Sequence, residues 1–245
     1  MNWPSIWKLF TQVVGSVAIF TALFMAVTSC SHRDDQSSRR PTSTQATLDR
    51  PASAYPLFSS RWDSVDNLEG VRLEAAKFAA ETEVLNEEFA LANQFDANLM
   101  NRYNERVSST YVATKMDWAN AGGKGAGATG GTLWRVVDAD PVADGYRVTL
   151  CEFDTPGQYN VVDGQPIHDP RNARSLAADN VVVSRTTKPS ATDQKAEAPS
   201  PRLLVTSISN AVGDNESPGV LCDKFAPDPF IQSPPSPLPT PSGGK

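Results

Sequence analysis

Residues 9–29, LFTQVVGSVAIFTALFMAVTS, carry no charged side chain. This stretch constrains the chain more than any other, because it does not belong to a domain core that folds in water. Before it stand the amine of Met1 and Lys8. A positive start followed by an apolar run has the parts of an export signal. The run is longer than the roughly 7–15 apolar residues of an ordinary secretory signal, and roughly 18 suffice to span a bilayer. Length alone therefore leaves a single-pass membrane anchor open as an alternative. On either reading the residues from 31 onward lie outside the cytoplasm. Counting positive residues does not orient the run, because Arg33, Arg39 and Arg40 follow it and Asp34 and Asp35 dilute them.

The end of the run is more specific. Val27-Thr28-Ser29-Cys30 resembles the lipobox of bacterial lipoproteins: an aliphatic residue, two small residues, then Cys. The resemblance implies cleavage before Cys30, a diacylglyceryl thioether on its sulfur and acylation of its new amine. Several acyl chains anchor a protein far better than one. Residues 1–29 are then a lipoprotein signal peptide, and the membrane is a partner through the lipid.

Residues 30–60 read as a lipid-anchored tether. The segment 31–56 is polar and punctuated by Pro41, Pro51 and Pro56, so it cannot bury a core. Residues 61–225 are expected to be one α+β domain. Leu68, Val71, Ala75, Phe78 and Ala79 step by three and four, which predicts a helix with one apolar face. A second helix, with Asp96 as its N-cap, would present Leu99, Tyr103 and Val107. Glu74, Glu81, Glu83, Glu87 and Glu88 read as a solvated acidic face.

From about residue 132 the pattern turns to strands: TLWRVVDA, YRVTLCEF, QYNVVD, NVVVSRTT and RLLVTSISNA. In YRVTLCEF, Tyr146, Val148, Leu150 and Glu152 share one face and Arg147, Thr149, Cys151 and Phe153 the other. Both faces carry apolar groups, so this strand is expected to be covered on both sides for part of its length. Pro156-Gly157 and Asp163-Gly164 are turn signals, and 184–201 reads as a long mobile loop. Helices first and strands afterwards predict an α+β domain with N-terminal helices, not a parallel α/β sheet. Residues 226–245 are rich in Pro and read as an extended, disordered tail; its PPSP stretch matches PxxP, but a spacer is the better reading.

The chemistry is sparse. Gly125 to Gly130 spells GxGxxG, but a dinucleotide fold needs a strand before it and a helix opening inside it. Here NAGGK precedes and TLWRVV follows, so a glycine loop is expected. The two histidines, His32 and His168, have no partner at metal-ligand spacing, and His168-Asp169 reads as a loop pair. No GxSxG, HExxH or CxxC occurs. The sequence therefore points to no catalytic residue, cofactor or metal. A net charge of −6 and a pI near 5.0 argue against nucleic acid. Cys151 and Cys222 are the two remaining cysteines, and in an exported domain two such residues pair.

The order WRV, VTLCEFDTPGQYNVVDGQPI, NVVVSR and the late Cys222 is similar to exported actinobacterial lipoproteins with a nuclear-transport-factor-two-like domain. Where many of those carry a Trp near the start of the last long strand, this chain has RLLVTS. The resemblance covers roughly residues 65–223 and implies a cystatin-like cone, a curved antiparallel sheet wrapped around helices. That architecture hosts enzymes, carriers and partner-binding modules alike. The leading expectation is a non-enzymatic envelope lipoprotein that binds a protein partner. A ligand- or lipid-binding cone lined by Trp134, Tyr146 and Phe153 is the alternative, and an enzyme using Asp138 or Asp154 comes last.

Overall fold

The computed structural model describes residues 54–65, 68–91, 97–110, 128–193 and 196–239. Cys30, the apolar run, Asp96 and most of the glycine loop lie outside the described residues. The elements are β1 (Arg61–Ser64), α1 (Gly70–Leu91), α2 (Ala97–Asn104), β2 (Ala128–Val142), β3 (Gly145–Val162), β4 (Gln165–His168), β5 (Ser175–Thr186), β6 (Arg202–Asn210) and a short α3 (Gly219–Cys222). The chain is α+β, with helices first and a mixed, mostly antiparallel sheet afterwards. Among the described residues the sheet has six strands in the order β1-β2-β3-β5-β6, with β4 paired to β3.

The sheet is not wholly antiparallel, because β1 pairs with β2 in parallel. Two strands of one direction need a long crossover between them. The chain supplies it by running back along the sheet in α1: Arg72 Nε donates to Ala139 O near the helix start, and Glu87 meets Thr132 near its end. RWDS is too short to read as a strand by alternation. Its pairing is held by Arg135, whose guanidinium takes both oxygens of Asp63 at 2.7 Å.

The helix packs through alanine rather than through large side chains. Ala75, Ala76, Ala79 and Ala80 are buried, whereas Val71, expected on the apolar face, is 60% exposed. Alanines let the helix backbone approach the strands closely. Against them lie Trp134, Val136, Val148, Leu150, Val181, Val183 and Val205, all buried in one core. Beyond α2, Val107 bridges in parallel to Val205 and covers part of the β6 edge. Arg106 ties the two helices together: it donates to Thr82 Oγ1 and Phe78 O, pairs with Glu81 and lies over the Phe78 ring.

The other face of the sheet has its own core. Leu133, Val137, Cys151, Phe153 and Ala178 are covered by Cys222, Leu221, Phe225 and Phe230 from the C-terminal segment. The alternation of YRVTLCEF therefore holds, and both faces are covered from Cys151 onward.

Two of the expected turns behave differently. Asp163 and Gly164 both take positive φ, 51° and 76°, and close the β3–β4 hairpin, as an Asp-Gly pair does. Pro156-Gly157 is not a turn between strands. It lies inside β3, which joins YRVTLCEF and QYNVVD into one strand. Gly157 (φ 116°) stands opposite Gly131, and a Cβ on Gly157 would sit 2.8 Å from the Tyr159 ring. Across the pair, a Cβ on Gly130 would collide with Gly157 O, so the glycine of β2 is what lets the strands approach here.

The ends of the domain also differ from expectation. Packing begins before residue 61: Tyr55 and Phe58 are buried, and Ser59 N donates to Gly130 O. The loop after β5 is pinned, with Ser109 N donating to Pro189 O and Ala191 N to Val107 O. Residues 226–239 carry no helix or strand, as their prolines dictate, yet they lie along the domain. Thr155 Oγ1 donates to Ile231 O, Ser233 N to Pro156 O and Leu238 N to Ala54 O.

Candidate functional site

The two cysteines of the domain come from β3 and from the end of α3. Their sulfurs are bonded at 2.02 Å across a sequence separation of 71 residues. Both are fully buried in the outer core. Closing a loop of that length is worth on the order of 4 kcal/mol through the unfolded chain. The bond holds the C-terminal segment on the sheet, where Ser175 Oγ also donates to Asp223 Oδ1.

The three aromatic candidates do not line one cavity. Trp134 is buried on the inner face and Phe153 on the outer. Tyr146 alone borders an open hollow of about 220 Å³, between the start of α1 and the ends of β5 and β6. Val71, Ala75, Val183 and Leu203 form its apolar wall. Glu74 and Arg185 pair at its rim, 2.7 Å apart.

The acidic helix face is only partly solvated. Glu83 is buried, and Asn86 donates to its Oε2. Glu87 Oε2 accepts three hydrogen bonds: from Ser60 Oγ at 2.6 Å, Thr132 Oγ1 at 2.7 Å and Trp134 Nε1 at 2.7 Å. Those donors come from the segment before β1 and from β2, so the site exists only once the helix lies on the sheet. Glu152, next to Trp134 across β2 and β3, also faces Glu87. Burial pushes the Glu152 carboxyl well above the ordinary carboxylate range, and the charges of Glu87, Asp179 and Glu83 push the same way. Hydrogen bonding toward Glu87 adds to the same upward shift. Sequence reasoning missed this pair, although the even-numbered face of YRVTLCEF had already placed Glu152 among apolar neighbours.

His168 does have a partner, but it is Asp154 and not Asp169. His168 Nε2 sits 2.6 Å from Asp154 Oδ2. Asp154 is fully buried; its Oδ1 accepts from Gln158 N and its Oδ2 from Gln232 Nε2. The Tyr159 ring packs beside the imidazole. Asp169 instead binds Arg171, whose guanidinium and backbone N–H hold its carboxyl down at about 2. Asp138 accepts from Ala139 N and lies 3.7 Å from Arg72.

These carboxylates are engaged by the fold. Asp154 joins β3, β4 and the C-terminal segment, and Asp138 anchors the start of α1. Among the described residues no group of three or more His, Cys, Asp or Glu is arranged to hold a metal ion. No helix among them is long and apolar enough to cross a membrane. Of the GxGxxG stretch, Ala128, Thr129 and Gly130 open β2, so the motif leads into a strand. No family model matches the chain, and neither a curated protein nor a solved structure does.

Proposed function

We propose that the chain is an exported lipoprotein of the cell envelope, anchored at the outer side of the plasma membrane through lipid on Cys30. Its α+β domain serves as a non-enzymatic module that binds an envelope partner. The Cys151–Cys222 bond carries the reading, because such bonds persist in oxidising compartments and are rare in the cytosol. The export-like run ending in Val27-Thr28-Ser29-Cys30 points to the same address independently. The helices-then-strands order agrees with the nuclear-transport-factor-two-like resemblance. The structural roles of Asp138 and Asp154 favour a binding module over an enzyme.

Fractionation of cells making the Cys30→Ala variant tests the reading. The native chain is expected in the membrane as a species shortened by residues 1–29. The variant is expected to keep those residues. Native protein that retains them, or that fractionates with cytosol, contradicts the proposal.

The hollow bordered by Tyr146 favours a second reading, a binding site for a small apolar ligand. A titration with a fluorescent fatty acid tests it. Saturable binding weakened by Val71→Asp, at an exposed lining position, supports this reading, and no saturable binding rejects it.

A further inference from the structure

The two ends of the sheet differ in chemistry. At one end the segment before β1 runs beside the start of β2, with Thr129 Oγ1 donating to Pro56 O. Thr129 pairs with Tyr159, which leads into the β3–β4 hairpin. Residues 231–238 close the same end, from the Thr155 contact with Ile231 to the bond from Leu238 N to Ala54 O at 2.7 Å. Three stretches meet there: 54–59, 156–168 and 229–239. They contain no Lys or Arg, and Asp163 is their one carboxylate, in a chain that is 20% charged overall. Five large apolar side chains stand exposed on them: Leu57 at 72%, Ile231 at 52%, Ile167 at 50%, Leu238 at 49% and Val162 at 46%. At the opposite end exposed Val71 and Leu73 stand among Arg72, Glu74, Asp138, Asp140 and Asp144.

This end, poor in charge, is also where the N-terminal chain joins the domain, at Ala54. Even fully extended, the residues between Cys30 and Ala54 reach at most about 85 Å. A lipid-anchored domain on such a leash meets the membrane surface continually, at high effective concentration. Pro56, Pro166, Pro234, Pro235 and Pro237 lie on this end and carry no N–H to desolvate. A rim without Lys or Arg, with a single carboxylate at the hairpin tip and apolar side chains outward, suits the boundary between headgroups and acyl chains.

We infer that this end of the domain is a membrane-docking surface, on which Leu57, Val162, Ile167, Ile231 and Leu238 enter the lipid interface beside the anchor. The inference rests on the proposed lipidation of Cys30. Docking would hold the sheet end-on to the bilayer and present the charged end, with the Tyr146 hollow, away from it.

The test uses the full chain purified from membranes and returned to vesicles of equal phosphatidylcholine and phosphatidylglycerol. Leu57→Cys, Leu238→Cys and Leu73→Cys are each labelled with an environment-sensitive nitrobenzoxadiazole dye. All three positions are exposed, so the substitutions leave the core intact. Probes at 57 and 238 are expected to brighten several-fold and to be quenched by spin-labelled lipid, while the probe at 73 is not. Equal solvent exposure at all three positions overturns the inference. So does brightening at 57 and 238 that follows protein density without quenching by lipid, which identifies a second copy as the occupant. The mass of the N-terminal peptide from the same sample reports the anchor separately, so failure of docking and failure of lipidation give different results.

Discussion

The two faces of the sheet are closed by different means. A helix covers the inner face, where four buried alanines meet a valine-rich surface and one carboxylate collects three donors. An irregular segment covers the outer face, held by a disulfide and by single hydrogen bonds. Periodic side chains make a helix self-supporting once its face is buried. An irregular cover has no repeating backbone bonds of its own, so it depends on point attachments. The comparison predicts that the outer face fails through its covalent link and the inner face through its packing volume.

The largest effect should come from the link. Cys222→Ala is expected to cost about 2–5 kcal/mol, the usual range for removing a native bond from a small secreted domain. Thermal unfolding should show the loss, and hydrogen exchange should rise first across 211–233. Equal deprotection of α1 would remove the distinction between the faces. Next, Ala76→Leu overfills the inner face, since Ala76 is fully buried against the strands. It is expected to cost about 1–3 kcal/mol in denaturant unfolding. A neutral result would mean that the helix does not lie close on the sheet.

Much of this division was legible in the sequence. The alternation of YRVTLCEF placed Cys151 and Phe153 opposite Leu150 and Glu152, and Asp163-Gly164 marked its hairpin correctly. The α+β order, helices before strands, followed from the change of period near residue 132. What was not legible depends on distant pairing. Arg61–Ser64 becomes a strand only because β2 lies beside it, and Pro156-Gly157 stays within a strand beside β2, where Gly130 leaves room for the Gly157 carbonyl. Glu87 resembles any surface glutamate until Ser60, Thr132 and Trp134 surround it. The partner of His168 is 14 residues away across a hairpin, while Asp169 beside it turns to Arg171. Gln232 carries no motif, yet it anchors the C-terminal segment.

Two smaller effects refine the comparison. Glu152 has a carboxyl pKa raised in the folded state, so its contribution to stability is fully present below the unfolded value of roughly 4.3. That contribution is lost as pH rises through the folded value. Glu152→Gln keeps a hydrogen-bond donor for Glu87 and removes the titration. Its melting temperature is expected to exceed that of the native chain at neutral pH and to vary less between mildly acidic and neutral conditions. A variant less stable at neutral pH would show that the charged form of Glu152 is the one the fold favours. Gln232→Ala should cost least, about 0.5–1.5 kcal/mol for hydrogen bonds to Asp154. Faster amide exchange at Ser233 and Leu238 is its expected signature, and unchanged exchange there would show that other contacts hold the segment.

The disulfide of the outer face and the Cys that ends the apolar run meet in one claim, that this is an exported lipoprotein. The mass of the N-terminal peptide of the protein extracted from membranes tests it most directly. The expected peptide begins at Cys30 and carries a diacylglyceryl thioether and an acylated amine. A mature chain that begins at Met1, or that retains residues 9–29 ahead of an unmodified Cys30, contradicts it.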